Sequence, residues 1–415
     1  MFFPSTPFTG EGPMSSTTVS TDIPLFNKCR DFTRADEIKA LGLYPYFKPI
    51  SESEDTVVVI EGQKRIMLGS NNYLGLTHHP KVLEAATRAL HTYGSGCTGS
   101  RFLNGTLDLH LQLEDTLARF LGKDDCIVFS TGYNANLGLI SGLVSKGDVV
   151  YLDKLDHASI VDGAKMSYGT TERFNHGSLD GLERKLARSG ESGGKMVIVD
   201  GVYSMEGDIA DIPNLLKVCR RHGAALAIDD AHSIGVLGPN GDGTAAHFGL
   251  SDEVDIIAGT FSKSLASIGG FVTGSKSVIN YLRHHSRPLI FTAALPPANT
   301  AGVLAALEVL QREPERRTQL WANTKRLADG FRSLGFEVGP SETPIIPIVI
   351  GPLDRTLLMW RKVYDAGVFT NPVVPPAVPL SQCRLRTSVM ATHTADQIDY
   401  SLDVIGKLGR EMGVI

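Results

Sequence analysis

The sequence predicts an α/β fold, with a large domain built on a mostly parallel central sheet and a smaller C-terminal α+β domain. Two observations favour this fold. Between residues 80 and 275, short and continuously apolar runs alternate with helical patterns, which is typical of parallel strands buried on both faces. Beyond Leu295-Pro296-Pro297 the pattern changes to two long helices, two separated apolar runs and a closing helix.

Residues 1–25 are predicted to form a disordered tail. They are rich in Ser, Thr, Pro and Gly, and they have neither the basic region nor the apolar region of a signal peptide. Met14 within this tail is a second candidate start of the chain. Residues 26–75 follow, with an amphipathic helix expected over 26–46 and then a hairpin. The two strands of that hairpin are expected at 56–60 and 65–68.

The large domain is predicted to span residues 76–297, and the small domain residues 298–415. In the large domain, helices are expected at 79–93 and 134–144. The closing helix of the small domain follows Thr394, because Gln397 stands at the spacing of a capping box. Strands of the large domain are expected at 126–130, 148–153, 195–201, 225–231, 254–260 and 269–274.

Composition excludes several classes of protein. The 415 residues carry a formal net charge of −5, which argues against a dedicated nucleic-acid binder with its basic face. No stretch approaches the roughly 20 uninterrupted apolar residues of a transmembrane helix. The five cysteines are scattered singly, as in neither a disulfide framework nor a zinc ribbon, and we expect no metal site. These features predict a cytoplasmic protein.

A glycine-rich segment matches a dinucleotide-binding motif but stands in the wrong structural context. Residues 94–99 read Gly-Ser-Gly-Cys-Thr-Gly and match GxGxxG. That motif binds a pyrophosphate only where it leaves a strand and begins a helix, because the phosphates then meet the free N–H groups of the helix. Here it follows a predicted helix, so we reject a nicotinamide cofactor.

Four loops at predicted strand ends carry the polar groups of a candidate site. The carboxyl ends of parallel strands meet at one edge of a sheet, where such proteins bind their ligands. One loop, at 130–134, contains Gly132 and begins a helix, so its N–H groups can hold a phosphate. The other three contribute His157, the pair Asp229 and Asp230, and Lys263. Taken alone, Asp229 could cap a helix and Lys263 could be an ordinary loop lysine.

Together these groups match the needs of pyridoxal 5'-phosphate (PLP). The cofactor requires a lysine for a Schiff base, an aspartate that keeps its pyridine nitrogen protonated, an aromatic ring over its face and a loop for its phosphate. Lys263, Asp229, His157 and the loop containing Gly132 supply these four parts on one edge of the predicted sheet. The combination therefore predicts a PLP enzyme.

The motifs around these residues also resemble those of a known family. The segments FSTGYNANLG, DHASI, DGVYSMEGD, DDAHS and GTFSKS are similar to those of the α-oxoamine synthases, which are fold-type-I PLP-dependent transferases. The resemblance covers about residues 36–412. It implies a decarboxylating condensation of an amino acid with an acyl-CoA. GTFSKS, GSRFLNGT and PPAVP are most similar to the bacterial members that use L-serine and palmitoyl-CoA.

With those substrates, L-serine and a long-chain acyl-CoA, the products are 3-ketodihydrosphingosine, CoA and CO₂, at the first step of sphingolipid synthesis. A peripheral membrane contact for product release is then expected. Two alternatives use the same chemistry, namely alanine with pimeloyl-CoA as in 8-amino-7-oxononanoate synthase, and glycine with acetyl-CoA as in 2-amino-3-ketobutyrate CoA ligase. A non-catalytic scaffold subunit is an alternative of another class. The acyl length, and an acyl carrier protein as donor, stay open.

The resemblance implies a role for each catalytic residue. Lys263 resembles the Schiff-base lysine that later acts as the Cα base, and Asp229 resembles the partner of the pyridine nitrogen. His157 resembles the ring that stacks on the cofactor, while Ser204 and His232 resemble the partners of its phenolic oxygen, with His232 counted among the catalytic residues. The phosphate ligands implied in this chain are Gly132, Tyr133 and Thr260.

The resemblance also implies substrate contacts and a homodimer. Asn72 and Arg386, together with His157, match positions that bind the amino-acid carboxylate. Arg386 suits this role, because a guanidinium meets a carboxylate through two parallel hydrogen bonds. The segment Phe291-Thr292 matches one that reaches the cofactor phosphate of the neighbouring subunit. Some bacterial members carry Arg where this chain has Val374, so a mechanism that depends on that Arg is in doubt here.

Overall fold

The computed structural model describes residues 23–190 and 193–415, which divide at Tyr44 into two compact units. Most of the predicted tail, residues 1–22, lies outside the described residues. The first unit contains two short helices, α1 (Asn27–Arg30) and α2 (Arg34–Ala40). The single helix predicted over 26–46 is therefore wrong. The helical conformation is interrupted at residues 31–33. Helix α2 ends just before Gly42, whose φ of 70° lies in the left-handed region.

The second unit begins with the predicted hairpin, which is confirmed. Strand β1 (Ile50–Glu54) pairs with β2 (Val57–Ile60), and β2 pairs with β3 (Gln63–Met67), both antiparallel. The turn at Glu61 and Gly62 has φ values of 54° and 73°, the positive values that a tight hairpin turn requires. Strand β1 was missed because its sequence, ISESE, is polar and fully exposed.

The large domain alternates helices and strands as the sequence predicts. The GxGxxG segment follows a helix, α3 (Pro80–Tyr93), in agreement with its rejection as a nucleotide site. The helices and strands run in the order α3 (Pro80–Tyr93), α4 (Asp108–Phe120), β4 (Asp125–Phe129), α5 (Gly132–Leu143), β5 (Val149–Asp153), α6 (Ala158–Met166), β6 (Thr170–Phe174), α7 (Leu179–Arg188), β7 (Lys195–Asp200), α8 (Ile212–Arg221), β8 (Ala225–Asp229), α9 (Thr244–His247), β9 (Ile256–Thr260) and β10 (Gly270–Gly274).

These strands form a seven-stranded sheet in the order β4-β10-β9-β8-β7-β5-β6. All neighbouring pairs from β9 to β6 are parallel, whereas β10 runs antiparallel to both β4 and β9. The mostly parallel sheet is therefore confirmed. The edge strand β6 was not predicted, because its sequence, TTERF, is polar and largely exposed.

The apolar strands are buried on both faces of the sheet. In β7, Val197 and Val199 pack into one hydrophobic cluster, while Met196 and Ile198 pack into a second cluster on the opposite face. This alternation explains why the whole strand is apolar and not only every second residue. It also leaves the strand ends as the places where polar groups reach the surface of the sheet.

The C-terminal part adds a second, smaller sheet. Helix α12 (Pro297–Arg312) packs against α3 and α4, and α15 (Ala395–Glu411) begins with the predicted capping box between Thr394 and Gln397. In the smaller sheet β11 (Ile345–Gly351) and β13 (Asn371–Val373) flank β14 (Cys383–Ser388), antiparallel to it. Strand β12 (Val368–Phe369) joins β3 of the hairpin in parallel. The other elements are α10 (Lys276–His285), α11 (Arg287–Ile290), α13 (Glu315–Leu334) and α14 (Leu353–Asp365).

The smaller C-terminal domain is thus present, while its boundary at residue 298 stays a prediction. Among the described residues, no helix has both the length and the apolar character needed to cross a bilayer.

Candidate active site

A cavity of about 210 Å³ opens at the carboxyl edge of the seven-stranded sheet. The loops after β4, β5, β7, β8 and β9 surround it, so the four loops singled out in the sequence do converge. Of the predicted site residues, the structure places Gly132, Tyr133, His157, Ser204, Asp229, His232, Thr260 and Lys263 on its wall.

The N-terminus of α5 forms one end of the cavity. Thr131 caps the helix by accepting a hydrogen bond from the Asn134 N–H at 3.0 Å. A Cβ atom on Gly132 would lie 2.6 Å from the Cβ of Thr260, so only glycine allows this close approach. The free N–H groups of the helix and the hydroxyl group of Thr260 therefore fit a phosphate group, with the exposed ring of Tyr133 beside them.

The carboxylate of Asp229 is held at the floor of the cavity. Its Oδ1 accepts the Ala231 N–H at 3.0 Å, and its Oδ2 accepts a hydrogen bond from the Asn136 amide at 2.6 Å. Asn136 also donates to the Ser159 hydroxyl at 2.8 Å, and that hydroxyl lies 2.7 Å from Nδ1 of His157. One chain of hydrogen bonds thus orients both the predicted pyridine partner and the predicted stacking ring.

The neighbouring Asp230 points elsewhere. Its Oδ2 accepts the Thr244 N–H at 2.9 Å, and its side chain does not line the cavity. Burial raises the pKa of Asp230 to about 6. Of the two adjacent aspartates, the structure therefore brings Asp229 and not Asp230 to the site.

Lys263 reaches the cavity from the loop after β9. Its ammonium group donates one hydrogen bond, to the Ser262 hydroxyl at 3.3 Å, and no carboxylate of the described residues lies within ion-pair distance. Burial lowers the pKa of Lys263, against the opposing charges of Asp229 and Asp200. A larger fraction of the amine is therefore neutral and nucleophilic than for an exposed lysine.

Two further carboxyl groups lie under the site. Asp200, at the end of β7, lines the cavity and pairs in register with Asp229 of β8. Asp156 accepts the N–H groups of Asp153 and Asp200 at 2.7 and 3.1 Å. Burial, together with the neighbouring carboxylates, raises the pKa of both Asp156 and Asp200 well above the usual range. Both therefore take up protons readily, which limits the negative charge beneath the cavity.

Arg386 of β14 lies behind the cavity wall. Its Nε donates to the main-chain oxygen of Ser204 at 2.6 Å, and its guanidinium donates to Oδ1 of Asn71 at 3.0 Å. Although Arg386 is buried, no carboxylate within the described part of the chain pairs with it. A buried guanidinium without a counter-ion is costly, so this position favours an anionic ligand.

The sequence pattern of the family described as Aminotransferase class I and II matches residues 63–405. The chain belongs to this family. A serine palmitoyltransferase (SPT) from Sphingobacterium spiritivorum is 48% identical over 379 residues, which are 91% of this chain and 95% of the relative. An 8-amino-7-oxononanoate synthase from Treponema denticola is 39% identical over 383 residues, which are 92% of this chain and 97% of the relative. A solved structure of SPT with its PLP internal aldimine has a TM-score of 0.91 at 38% identity, covering 94% of this chain and 99% of that chain.

These similarities confirm the resemblance to the α-oxoamine synthases and the fold-type-I architecture. They extend over nearly the whole described chain, so the large domain and the C-terminal part belong to one arrangement. The roles of the individual site residues rest on the geometry given above.

The structure does not bring Asn72 to the site. Its amide donates to the Thr77 hydroxyl at 2.9 Å and to Asp55 at 3.2 Å, and its Oδ1 accepts the Leu76 N–H at 3.0 Å. Asn71, which contacts Arg386, takes its place. Sequence reasoning missed Asn71 because two adjacent asparagines offer the same chemistry, and only the fold decides which one faces the arginine.

Three other predicted positions lie away from the cavity of this chain. Phe291 is exposed over 73% of its surface, and neither it nor Thr292 lines the cavity. Val374 packs against the small cluster formed by Val373, Val378 and Cys383, as an apolar side chain should. The sequence also missed Asn136 and Ser159, although both stand inside the quoted motifs.

Proposed function

We propose that this chain is a PLP-dependent acyltransferase that condenses L-serine with a long-chain acyl-CoA, palmitoyl-CoA above all. The products are 3-ketodihydrosphingosine, CoA and CO₂. The observation that carries the proposal is a small cavity with the half-buried Lys263 on its wall, Asp229 at its floor and the buried Arg386 behind it, where no carboxylate of the described residues pairs with either cation. The similarity to serine palmitoyltransferases over most of the chain supports it.

The residues present fit PLP. The N-terminus of α5 and Thr260 would hold the phosphate, Asp229 the pyridine nitrogen, and Ser204 with His232 the phenolic oxygen. The amide nitrogen of Asn136 donates hydrogen bonds to both Asp229 and Ser159. Its Oδ1 is buried and makes no hydrogen bond among the described residues. When bound, PLP supplies an electron sink for the electron pair left on the Cα of the amino acid.

The residues of this chain would then perform four tasks. Lys263 removes the Cα proton, which its lowered pKa assists. Arg386 and Asn71 orient the serine carboxylate. His157 covers one face of the cofactor, held in place by Ser159. Asp229 would contact the pyridine nitrogen, held in position by hydrogen bonds from Asn136 and the Ala231 N–H.

A second candidate function is the same chemistry with alanine and pimeloyl-CoA. The similarity to the 8-amino-7-oxononanoate synthase from Treponema denticola, at 39% identity over 92% of this chain, favours this alternative. The higher identity of the serine palmitoyltransferase, at 48%, places serine first. The scaffold alternative is disfavoured, because Lys263, Asp229 and His157 are all present on the cavity wall.

We further propose a cytoplasmic homodimer in which Phe291 and Thr292 reach the cofactor phosphate of the other subunit. The position of Phe291 and Thr292 supports this, because neither residue lines the cavity of its own chain. Cross-linking or sedimentation at micromolar concentration tests the dimer directly.

The function is tested by mixing the purified protein with single amino acids and following the cofactor absorbance. Serine should change the spectrum at lower concentration than alanine or glycine, and palmitoyl-CoA should then give the highest turnover in a series of acyl-CoAs. A spectral response restricted to alanine, with turnover on pimeloyl-CoA, would replace the proposal by its alternative. A normal spectrum without turnover on any acyl donor would favour a scaffold subunit.

A further inference from the structure

A buried tyrosine touches the site from outside the cavity. Tyr73, in the segment between β3 and α3, has no exposed surface, and its hydroxyl lies 2.7 Å from Nδ1 of His232. The two rings are tilted by 57°, so their contact is this hydrogen bond and not stacking. His232 itself lines the cavity. Tyr73 therefore acts on the site through the imidazole of His232.

The protonation state of this pair follows from its surroundings. Burial lowers the pKa of His232 well below its usual range, and the positive charges of Lys263, Arg386 and His157 lower it further. Burial raises the pKa of Tyr73 to about 12, against the opposing effect of Arg386. At neutral pH the pair therefore consists of a neutral phenol and a neutral imidazole, and the imidazole carries one proton.

The neighbours of Tyr73 decide where that proton lies. The positive charge of Arg386 lowers the pKa of the Tyr73 hydroxyl, while the guanidinium itself donates to the main-chain oxygen of Ser204 and to Oδ1 of Asn71. The hydroxyl proton then has two acceptors within reach, Nδ1 of His232 at 2.7 Å and Oδ1 of Asn71 at 3.4 Å. Asn71 Oδ1 already accepts from Arg386, so the shorter bond to His232 takes the proton.

We propose that Tyr73 is a positioning residue that holds His232 as the tautomer with its proton on Nε2. Because Nδ1 accepts from Tyr73, Nε2–H is left to donate into the cavity. There it would donate to the phenolic oxygen of PLP, so this inference rests on the proposed function. The Tyr73 hydroxyl thus donates to His232, and His232 in turn donates into the cavity.

The tautomer has a measurable consequence for the bound cofactor. A hydrogen bond to the phenolic oxygen stabilises most the form that carries the most negative charge there, which is the deprotonated form of the chromophore. Loss of the donor therefore raises the pH midpoint of the absorbance change. For one hydrogen bond the expected rise is about half to one pH unit.

The test is a pH titration of cofactor absorbance in the holoenzyme without substrates. Tyr73→Phe keeps the ring and removes only the hydroxyl, and its midpoint should rise by that amount. The matched control is Tyr364→Phe, a buried tyrosine outside the site whose hydroxyl bonds Glu61 at 3.1 Å, and its midpoint should equal that of the wild type. An unchanged midpoint in Tyr73→Phe overturns the inference.

A second background separates positioning from general damage. The amide of His232→Gln donates into the cavity without needing Tyr73, so adding Tyr73→Phe to this variant should leave its midpoint unchanged. An equal shift in both backgrounds would show that Tyr73 acts by another route and would overturn the inference. If even the wild type shows no cofactor band, the proposed function fails, and this inference fails with it.

A measurement on the unsubstituted holoenzyme avoids any effect of substitution on folding. In protein labelled with ¹⁵N-histidine, the ring nitrogens of His232 report their protonation, and His232→Gln assigns the signals. We expect a proton on Nε2 and none on Nδ1 at neutral pH. A proton on Nδ1 would contradict the proposal.

Discussion

The two edges of the central sheet differ in what their charged groups contact. The amino edge has the larger cavity, about 670 Å³. Several of its charged groups have partners within the protein. Asp255 binds Arg220 through two hydrogen bonds of 2.9 and 3.1 Å and also accepts the Leu226 N–H. Asp148 likewise accepts two N–H groups, and Lys123 donates to two main-chain carbonyls.

The carboxyl edge has the smaller cavity, about 210 Å³, and leaves its cations without counter-ions. Lys263 and Arg386 are surrounded by hydroxyl, amide and carbonyl groups, and no carboxylate pairs with either among the described residues. The difference teaches that cavity size is a poor guide to function in this molecule. Buried charge that the protein itself does not neutralise is the better guide, because a ligand must neutralise it.

The largest effect is expected from Asp229→Asn. A neutral amide cannot keep the pyridine nitrogen protonated, so turnover should fall by about 10²–10³-fold while the cofactor still binds. The matched control at the other edge is Asp255→Asn, which should lower stability and leave turnover unchanged. Steady-state kinetics on both variants check the comparison. Near-normal turnover in Asp229→Asn would refute the assigned role.

The next effect concerns Arg386→Ala and serine affinity. Loss of an arginine–carboxylate pair in a buried site costs about 1.5–3 kcal/mol, so serine should bind roughly 10–150-fold more weakly. Arg386→Lys should recover only part of the lost serine affinity, because an ammonium group cannot form the two parallel hydrogen bonds that a guanidinium forms with a carboxylate. Serine titration followed by cofactor absorbance, with acyl-CoA left out, gives the affinity. Arg220→Ala at the amino edge should titrate as the wild type does.

Serine methyl ester, which lacks the carboxylate charge, controls the Arg386 experiment. It should bind the wild type and Arg386→Ala alike. If Arg386→Ala instead binds serine as tightly as the wild type, the carboxylate is held elsewhere and the comparison of the two edges loses its main support.

The smallest effect is expected from substitution of His176. This residue also lies near the carboxyl edge of the sheet, but it is paired with two carboxylates of the protein. Its ring nitrogens lie 3.2 Å from Asp153 and 3.0 Å from Asp208, and these hydrogen bonds raise the pKa of His176 to about 10. In the unfolded chain the value is about 6.5. The stabilisation is therefore fully present below about pH 6.5 and is lost as the pH rises through about 10.

The measurement is the free energy of unfolding of His176→Gln and the wild type between pH 6 and pH 10. The variant should be less stable by roughly 1–2 kcal/mol near pH 6, a figure reduced for partial exposure, and the gap should close toward pH 10. The exposed His284→Gln should show no such trend. A gap that stays constant with pH would show that His176 contributes packing and not charge.

Much of the fold could be predicted because burial on two faces marks the strands. Strands β4, β5 and β7 to β10 have runs of apolar residues that are buried on both faces, so their sequences alone locate them. Strands β1 and β6 are exposed edges with polar sequences, and nothing in them differs from a loop. The break between α1 and α2 was missed because short amphipathic patterns do not show where a helix is interrupted.

The candidate site was predictable where chemistry singles out one residue type. Lysine, aspartate and histidine after buried strands are unusual enough to be recognised in Lys263, Asp229 and His157. Asn71, Asn136 and Tyr73 were not, because amides and phenols occur throughout a protein. Their roles depend on distances to partners more than 90 residues away along the chain, which only the folded structure supplies.

The most direct test is borohydride reduction of the purified protein followed by peptide mapping. If the unpaired lysine at the carboxyl edge is the covalent attachment point, the pyridoxyl group should be found on the peptide containing Lys263. Lys263→Ala, folded and still able to bind the cofactor non-covalently, should carry none, whereas Lys123→Ala should be labelled as the wild type is. Label on any other lysine, Lys123 of the amino edge included, would contradict the account.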